Sequence, residues 1–255
     1  MMKIKPIIMA LVIFCTSISF SATTNVDISK EAVDAIKKSE SRFLQYSMDF
    51  KLTQYKNNQK RDEALFKLII SNEGTIAYYK KPIVNKGKII LQKEGSYFLY
   101  FPKPKHYIRV SARSNLFGNV SYGDLIKPPL SAFYTVVSTE VLMTNKEHIV
   151  NIHYHVKKGI QNIPYHKKTV RFNYTKKRIE TIESYSRNNI LLGKIINLEF
   201  SLINGTNFAT KVKILDTRHT QNYAIQKNSG FKKTNYSLHI FNPSYLKKIK
   251  SLIRL

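Results

Sequence analysis

Short apolar runs of alternating character, set close together, dominate this chain, and their period predicts strands. They fall at 43–55, 64–71, 75–79, 89–92, 97–101 and 107–111, and after the break Lys127-Pro128-Pro129 they resume at 134–141, 148–157, 169–174, 179–186, 193–202, 206–215 and 236–239. One segment has helical spacing instead. Over 27–42, Ile28, Ala32, Val33 and Ile36 form a stripe opposite Lys30, Asp34, Lys37 and Lys38, with Asp27 or Ser29 as N-cap. A closing segment, 243–255, has helical character with a basic face. Many short strands without alternating helices predict an antiparallel sheet, not a doubly wound fold.

Two segments break the rhythm. The loop 115–129 carries Phe117, Tyr122, Leu125 and Ile126 among Gly and Pro, and side chains that apolar must be buried against something, as in a lid or plug. The segment 216–234 is polar, anchored only by Tyr223, Ile225 and Phe231, and reads as a surface excursion without an assigned role.

The N-terminus sets an expected compartment. Lys3 and Lys5, the apolar run 7–14 and the small residues of 17–22 match a secretory signal peptide cleaved after Ser21, which leaves 22–255 as one domain. The only cysteine, Cys15, lies in that leader, and Phe14 before it is the wrong shape for a lipoprotein signal. The exported chain would therefore fold without disulfides, on its core alone. Charge is strongly one-sided, with 42 Lys+Arg against 16 Asp+Glu and a formal net charge of +26, of which the leader holds only Lys3 and Lys5. Solvated lysines blunt sheet edges. Beyond that, such charge favours an anionic membrane surface over nucleic acid, because no zinc spacing, recognition helix or aromatic RNA-binding motif is present.

Candidate chemistry is sparse. His153 and His155 share a strand face, with His148 or His166 as possible third ligands, but no carboxylate at fixed spacing supports a metal site. Glu140, Glu147, Glu180 and Glu183 are scattered. There is no Gly-x-Ser-x-Gly elbow, no glycine-rich phosphate loop and no thiol beyond the leader. Sequons at Asn119, Asn173, Asn204 and Asn235 are expected from an Asn-rich composition. No catalytic or metal-ligating set stands out among these residues.

In the run Tyr97-Phe-Leu-Tyr-Phe101 both strand faces are apolar, so one face must be covered by helices, a second sheet or a ligand. The block around this run resembles the bacterial outer-membrane lipoprotein-sorting family, the LolA/LolB-like proteins. The matching positions are Gly87, Leu99-Tyr100-Phe101-Pro102, Arg109 and Arg113, Phe117-Gly118 and Val120-Ser121-Tyr122-Gly123-Asp124-Leu125, with an echo at Ile240-Phe241-Asn242-Pro243. Asn119-Val120 stands where an acidic residue is common in that family, and the basicity is unusual for it.

The resemblance implies a mainly β protein, a strongly curved antiparallel sheet forming an incomplete barrel of about 11 strands with short covering helices. It also implies a hydrophobic cavity for acyl chains, no enzymatic activity and no cofactor. On this basis Ile89, Leu91, Phe98, Tyr100, Ile108 and Val110 are nominated as lining, although the strand register leaves the opposite set open. Phe117, Tyr122 and Leu125 would close over them, and Arg109 and Arg113 are candidates for a head group. The implied role is a monomeric periplasmic carrier of lipoprotein or lipid cargo in a Gram-negative envelope, between an inner-membrane transporter and an outer-membrane acceptor. A non-carrier adaptor of an envelope complex is the alternative.

Overall fold

A computed structural model describes residues 24–249 except 119, 128, 161–162, 216 and 218–219. The proposed leader and the last residues of the basic closing segment lie outside the described residues.

The helix α1 (Asn25–Arg42) opens the described chain. Its N-cap is Thr24, not Asp27 or Ser29. The Thr24 hydroxyl accepts from the Asp27 N–H at 3.3 Å and the Asp27 carboxylate accepts from the Thr24 N–H at 3.2 Å, a reciprocal cap that the Thr-x-x-Asp spacing encodes. Ile28, Ala32 and Ile36 make the buried stripe. Six strands follow as a meander: β1 (Tyr46–Lys56), β2 (Gln59–Ser71), β3 (Gly74–Lys81), β4 (Ile89–Lys93), β5 (Ser96–Phe101) and β6 (His106–Val110). The short strands β7 (Asn115–Phe117) and β8 (Val120–Ser121) and the single-turn helices α2 (Tyr122–Leu125) and α3 (Leu130–Phe133) come next. A second meander runs through β9 (Tyr134–Thr144), β10 (Glu147–Val156), β11 (Lys167–Asn173), β12 (Arg178–Tyr185), β13 (Leu191–Ile203), β14 (Thr206–Leu215) and β15 (Tyr223–Lys233). Two 3-10 turns, Leu238–Phe241 and Pro243–Lys248, end the described chain. No helix among the described residues is long and apolar enough to cross a membrane.

All strands but β7 and β8 form one antiparallel sheet in the order β6-β5-β4-β3-β2-β1-β15-β14-β13-β12-β11-β10-β9. The sheet is curved and not closed. Its open edges are β6 and β9, and the segment joining those edges in sequence, 111–133, carries β7, β8, α2 and α3. That segment is a plug. The larger core lies between the sheet and the cover made by α1 and this plug, with Leu52, Phe66, Ile90, Val150, Val170 and Ile214 from the strands meeting Ile28, Ala32 and Ile36. Phe66 is fully buried, stacked on Phe50 at 4.6 Å between ring centroids and tilted against Tyr79 at 4.2 Å. A smaller core sits on the opposite face of β2–β5, where Ile69, Ile76, Ile89, Leu91 and Tyr100 are covered by Ile240, Phe241 and Leu246 of the 3-10 turns.

Three expectations change. The main sheet has 13 strands, not about 11. The segment expected as a surface excursion contains β15, which pairs with both β1 and β14 in the middle of the sheet. Its inward positions Gln226 and Asn228 are polar, which hides the alternation. They satisfy each other, Gln226 Nε2 donating to Asn228 Oδ1 at 2.7 Å, while Asn228 Nδ2 donates to the Ala209 carbonyl at 2.8 Å. Finally, 236–239 is no strand: Leu238 to Phe241 turn as a 3-10 helix that buries Ile240 and Phe241.

The charge is carried largely on the surface. Lys51, Lys227 and Lys211 stand directly opposite one another on β1, β15 and β14, and the outer two are paired with Glu63 and Glu199, both at 2.5 Å. Like charges in a cross-strand rung oppose pairing, and the flanking carboxylates offset this.

Candidate functional site

Strand register decides which side chains share a face. Leu91 lies opposite Phe98 and Ile89 opposite Tyr100, and these four point away from α1, into or beside the smaller core. Ile108 lies opposite Leu99 and Val110 opposite Tyr97, so these two belong to the α1 face with Ile90 and Tyr97. The six nominated residues are therefore split between the faces. On the α1 face, Tyr79, Ile90, Tyr97 and Leu99 occupy the positions that correspond to the nominated set. Leu99 and Ile108 mark where the cover thins, and Ile108 is 44% exposed. Tyr122 and Leu125 are buried on that face, and Phe117 is half-buried against it.

The plug is latched by Asp124. Ser121 and Asp124 cap α2 reciprocally, the Ser121 N–H and hydroxyl donating to the Asp124 carboxylate at 3.1 and 2.6 Å. The other carboxylate oxygen accepts from the Tyr165 hydroxyl at 2.5 Å. Gly193 lies beneath this pair, and a Cβ there would stand 3.4 Å from both Asp124 Oδ1 and the Tyr165 hydroxyl. Gly123 is needed for a closer approach, since its Cβ would fall 2.7 Å from Pro164. From β5, on the same face of the sheet, the Tyr97 hydroxyl donates to the Ile126 carbonyl at 2.9 Å. The far end of the plug is held by α1: the Glu40 carboxylate accepts from the N–H groups of Leu130 and Ser131 and from the Ser131 hydroxyl, at 2.5, 3.1 and 2.7 Å. Burial, with the Asp124 charge adding to it, pushes the Tyr165 hydroxyl far above its ordinary value, and burial does the same to Tyr97 and Tyr134.

Two lysines sit in the same region. Lys168 is 4% exposed and lies on the α1 face opposite Tyr154. Its ammonium stands over the rings of Tyr134 and Tyr165, at 5.4 and 5.3 Å from their centroids. Lys127, in the plug, is half-buried. Burial lowers both to about 8, and for Lys168 the charge of Lys127 lowers it further while Asp124 and Glu40 partly offset the effect.

Two openings flank the plug. A cleft of about 610 Å³ lies between α1 and the strands β9 and β10, walled by Val33, Ile36, Tyr134, Val136 and Tyr154 and rimmed by Lys30, Lys37, Lys157 and Asp34, whose carboxylate pairs with Lys37 at 3.6 Å. A smaller cavity of about 330 Å³ lies at the edge of β6 against Ile163 and Pro164, and the head-group candidates Arg109 and Arg113 both line it, each exposed. His153 Nδ1 is 3.1 Å from the Thr169 hydroxyl on the outer face, and no group of three His, Cys, Asp or Glu side chains among the described residues is placed to hold a metal.

The buried acid, its tyrosine latch and the two lysines were not singled out by sequence reasoning. Signals existed: Ser121-x-x-Asp124 is a capping-box spacing, and the alternation Lys168, Val170, Phe172 points Lys168 inward with two core residues.

A family model described only as like an uncharacterized protein matches residues 71–248, from the end of β2 to the last 3-10 turn. The chain belongs to that family. Its fold is that of the LolA superfamily. A LolA superfamily protein from Nitrosomonas europaea superposes with a TM-score of 0.72 at 19% identity, over 84% of this chain and 98% of that one. An outer membrane lipoprotein-sorting protein domain from Vibrio parahaemolyticus gives 0.67 at 17% identity, over 86% and 99%. A DUF1329 family protein from Desulfovibrio piger also gives 0.67, at 14% identity over 86% and 98%. No curated protein matches the chain. The resemblance found in the block 87–125 thus holds for the whole LolA-type sheet, at identities that speak to fold.

Proposed function

We propose that this LolA-type protein is a non-enzymatic periplasmic carrier that shelters the acyl chains of a lipoprotein or lipid and moves them towards the outer membrane. The observation that carries this reading is the construction of the covered face: an open sheet whose apolar side is closed only by α1 and a plug fixed by a few polar latches. Displacing such a cover exposes a continuous apolar surface, whereas a closed barrel has no removable wall. The cargo-lining residues on this reading are those of the α1 face, Tyr79, Ile90, Tyr97, Leu99, Ile108 and Val110, with Phe117, Tyr122 and Leu125 as the part that moves. The export signal and the fold shared with a lipoprotein-sorting domain support the same role.

The test is organic extraction and mass spectrometry of protein purified from its own envelope. Stoichiometric acyl lipid is expected. Lipid-free protein retained by a membrane complex would favour the adaptor role instead.

The membrane-facing part is assigned to the β3–β4 connection. Ile83 and Val84 are 88% and 78% exposed at its tip, with exposed Lys81 and Lys86 on either side. Apolar tips between lysines suit an anionic bilayer, where each lysine near the surface contributes about 1 kcal/mol and a buried isoleucine about 2 kcal/mol. Ile83→Glu should weaken sedimentation with anionic vesicles about tenfold or more without changing the melting temperature, because the side chain touches no core. Binding to anionic vesicles should also fade with salt, and equal affinity for neutral vesicles at low salt would remove the electrostatic part of this assignment.

A further inference from the structure

The sheet has two open edges, and the chain treats them differently. At β6 the edge is only five residues long, carries Arg109, and is bounded by Lys103-Pro104-Lys105 on one side and Arg113 on the other. Short length, basic side chains and proline are devices that stop a sheet from adding strands. At β9 they are missing. Its eleven residues, Tyr134–Thr144, include no Lys, Arg or Pro, although 42 of the 255 residues of the chain are Lys or Arg. Its neighbour β10 has none either, so Lys146 in the turn is the only Lys or Arg of 134–156. The one charge on β9 is Glu140, which accepts from Asn151 Nδ2 at 3.2 Å. The far side of β9 pairs with no strand, and no backbone hydrogen bond from another described segment reaches Thr135–Thr144. A bulge at Val137 turns the first part of the edge aside and leaves 138–144 regular, with Met143 67% exposed.

Unpaired peptide groups on an unguarded edge accept another strand, and charge sets which strand can approach. An acidic partner is drawn to the lysine-bearing surface and away from β9, whereas a neutral edge on a chain of formal charge +26 suits a partner that is itself basic. We infer that β9 pairs with β9 of a second copy of this chain, antiparallel about a twofold axis at Val141, so that two sheets become one. This register sets Thr139 opposite Met143 and Glu140 opposite Leu142 of the other copy, and no like charges meet. An axis one residue earlier would oppose the two Glu140 carboxylates. Lys30 and Lys37 of α1 line the cleft with Thr135, Val136 and Thr139, so the copies also repel, and salt should tighten the dimer by screening that repulsion. A dimer departs from the monomer that the family resemblance implies, and it holds whether or not lipid is carried.

Sedimentation velocity of the exported protein, over a range of protein concentration and salt, tests this pairing. A reversible dimer is expected, tighter at high salt, the opposite of the vesicle binding. Thr139→Lys combined with Met143→Lys places like charges on two rungs of the seam and should weaken the dimer about tenfold or more, whereas Thr139→Glu combined with Met143→Lys places opposite charges there and should retain it. Both residues are exposed, and melting curves report that each variant is folded. Wild type that stays monomeric at every concentration and salt would overturn the proposal, and retention in the envelope that the double lysine variant abolishes would then assign the edge to a strand of another protein. A dimer that neither variant changes would overturn it as well, by placing the contact elsewhere. Equal loss of the dimer in the two folded variants would overturn the register at Val141.

Discussion

Asp124→Ala should lower the stability of this protein by about 3 kcal/mol, because it removes a charged acceptor from three donors and leaves the Tyr165 hydroxyl, in a residue 4% exposed, without its partner. For a chain of this size that is a fall in melting temperature of about 6–12 °C. The loss is local in origin. The carboxylate ties the plug to Tyr165, the residue that leads from the β10–β11 connection into β11, so amide exchange should accelerate first in 115–130, before the strands of the main sheet. Asp124→Asn keeps one acceptor of the right shape and should cost less. Unchanged exchange in the plug of a destabilised Asp124→Ala protein would show that the carboxylate supports the sheet and not the cover.

Lys168→Met should do the reverse and stabilise the protein by about 2 kcal/mol, since an apolar side chain of similar length replaces a buried cation held over the rings of Tyr134 and Tyr165. The pH dependence of the parent follows from the same groups. Folding holds Lys168 and Lys127 at about 8 against an ordinary 10.5, so between those values the unfolded chain binds more protons and stability rises with pH. The penalty is fully present below pH 8. Tyr97, Tyr134 and Tyr165 act oppositely, because their hydroxyls are raised above the ordinary 10 and the folded state keeps protons that the unfolded chain loses. Stability should therefore climb from pH 8, peak near 10 and fall beyond it, and Lys168→Met should flatten the climb. Denaturant midpoints across that range check both statements.

The sheet was legible in the sequence because most of its strands bury one face and expose the other, so that the period of two survives in the residue pattern. The exceptions have identifiable causes. In β15 the inward residues Gln226 and Asn228 satisfy each other, and a polar inward face imitates a loop. In 236–239 a short apolar run belongs to a 3-10 turn, whose burial of Ile240 and Phe241 depends on β3 to β5 of the distant first meander. The plug was legible as a loop too apolar to stand in water, and Tyr122, Leu125 and Ile126 are buried. Which face of β4 and β5 meets α1 was not, because both faces of 97–101 are apolar and only the pairing register separates Phe98 from Leu99. The buried lysine was hidden by abundance: among 42 Lys and Arg, one inward position carries no compositional mark, and only its place in the alternation with Val170 and Phe172 distinguishes it.

The strand β15 joins β1 to β14 in the middle of the sheet, so the first meander and the second share no ladder until almost the last strand is made. Contacts that span so much of the chain are slow to form, and a polypeptide emerging from its N-terminus must wait with two unfinished half-sheets, each showing a raw edge. The rung Lys51, Lys227 and Lys211 lies on these last two ladders, so the closing step brings like charges together and leans on the carboxylates of Glu63 and Glu199 that flank them. A chain built this way closes its sheet only when its last strand is in place, so the sheet forms as a whole or not at all.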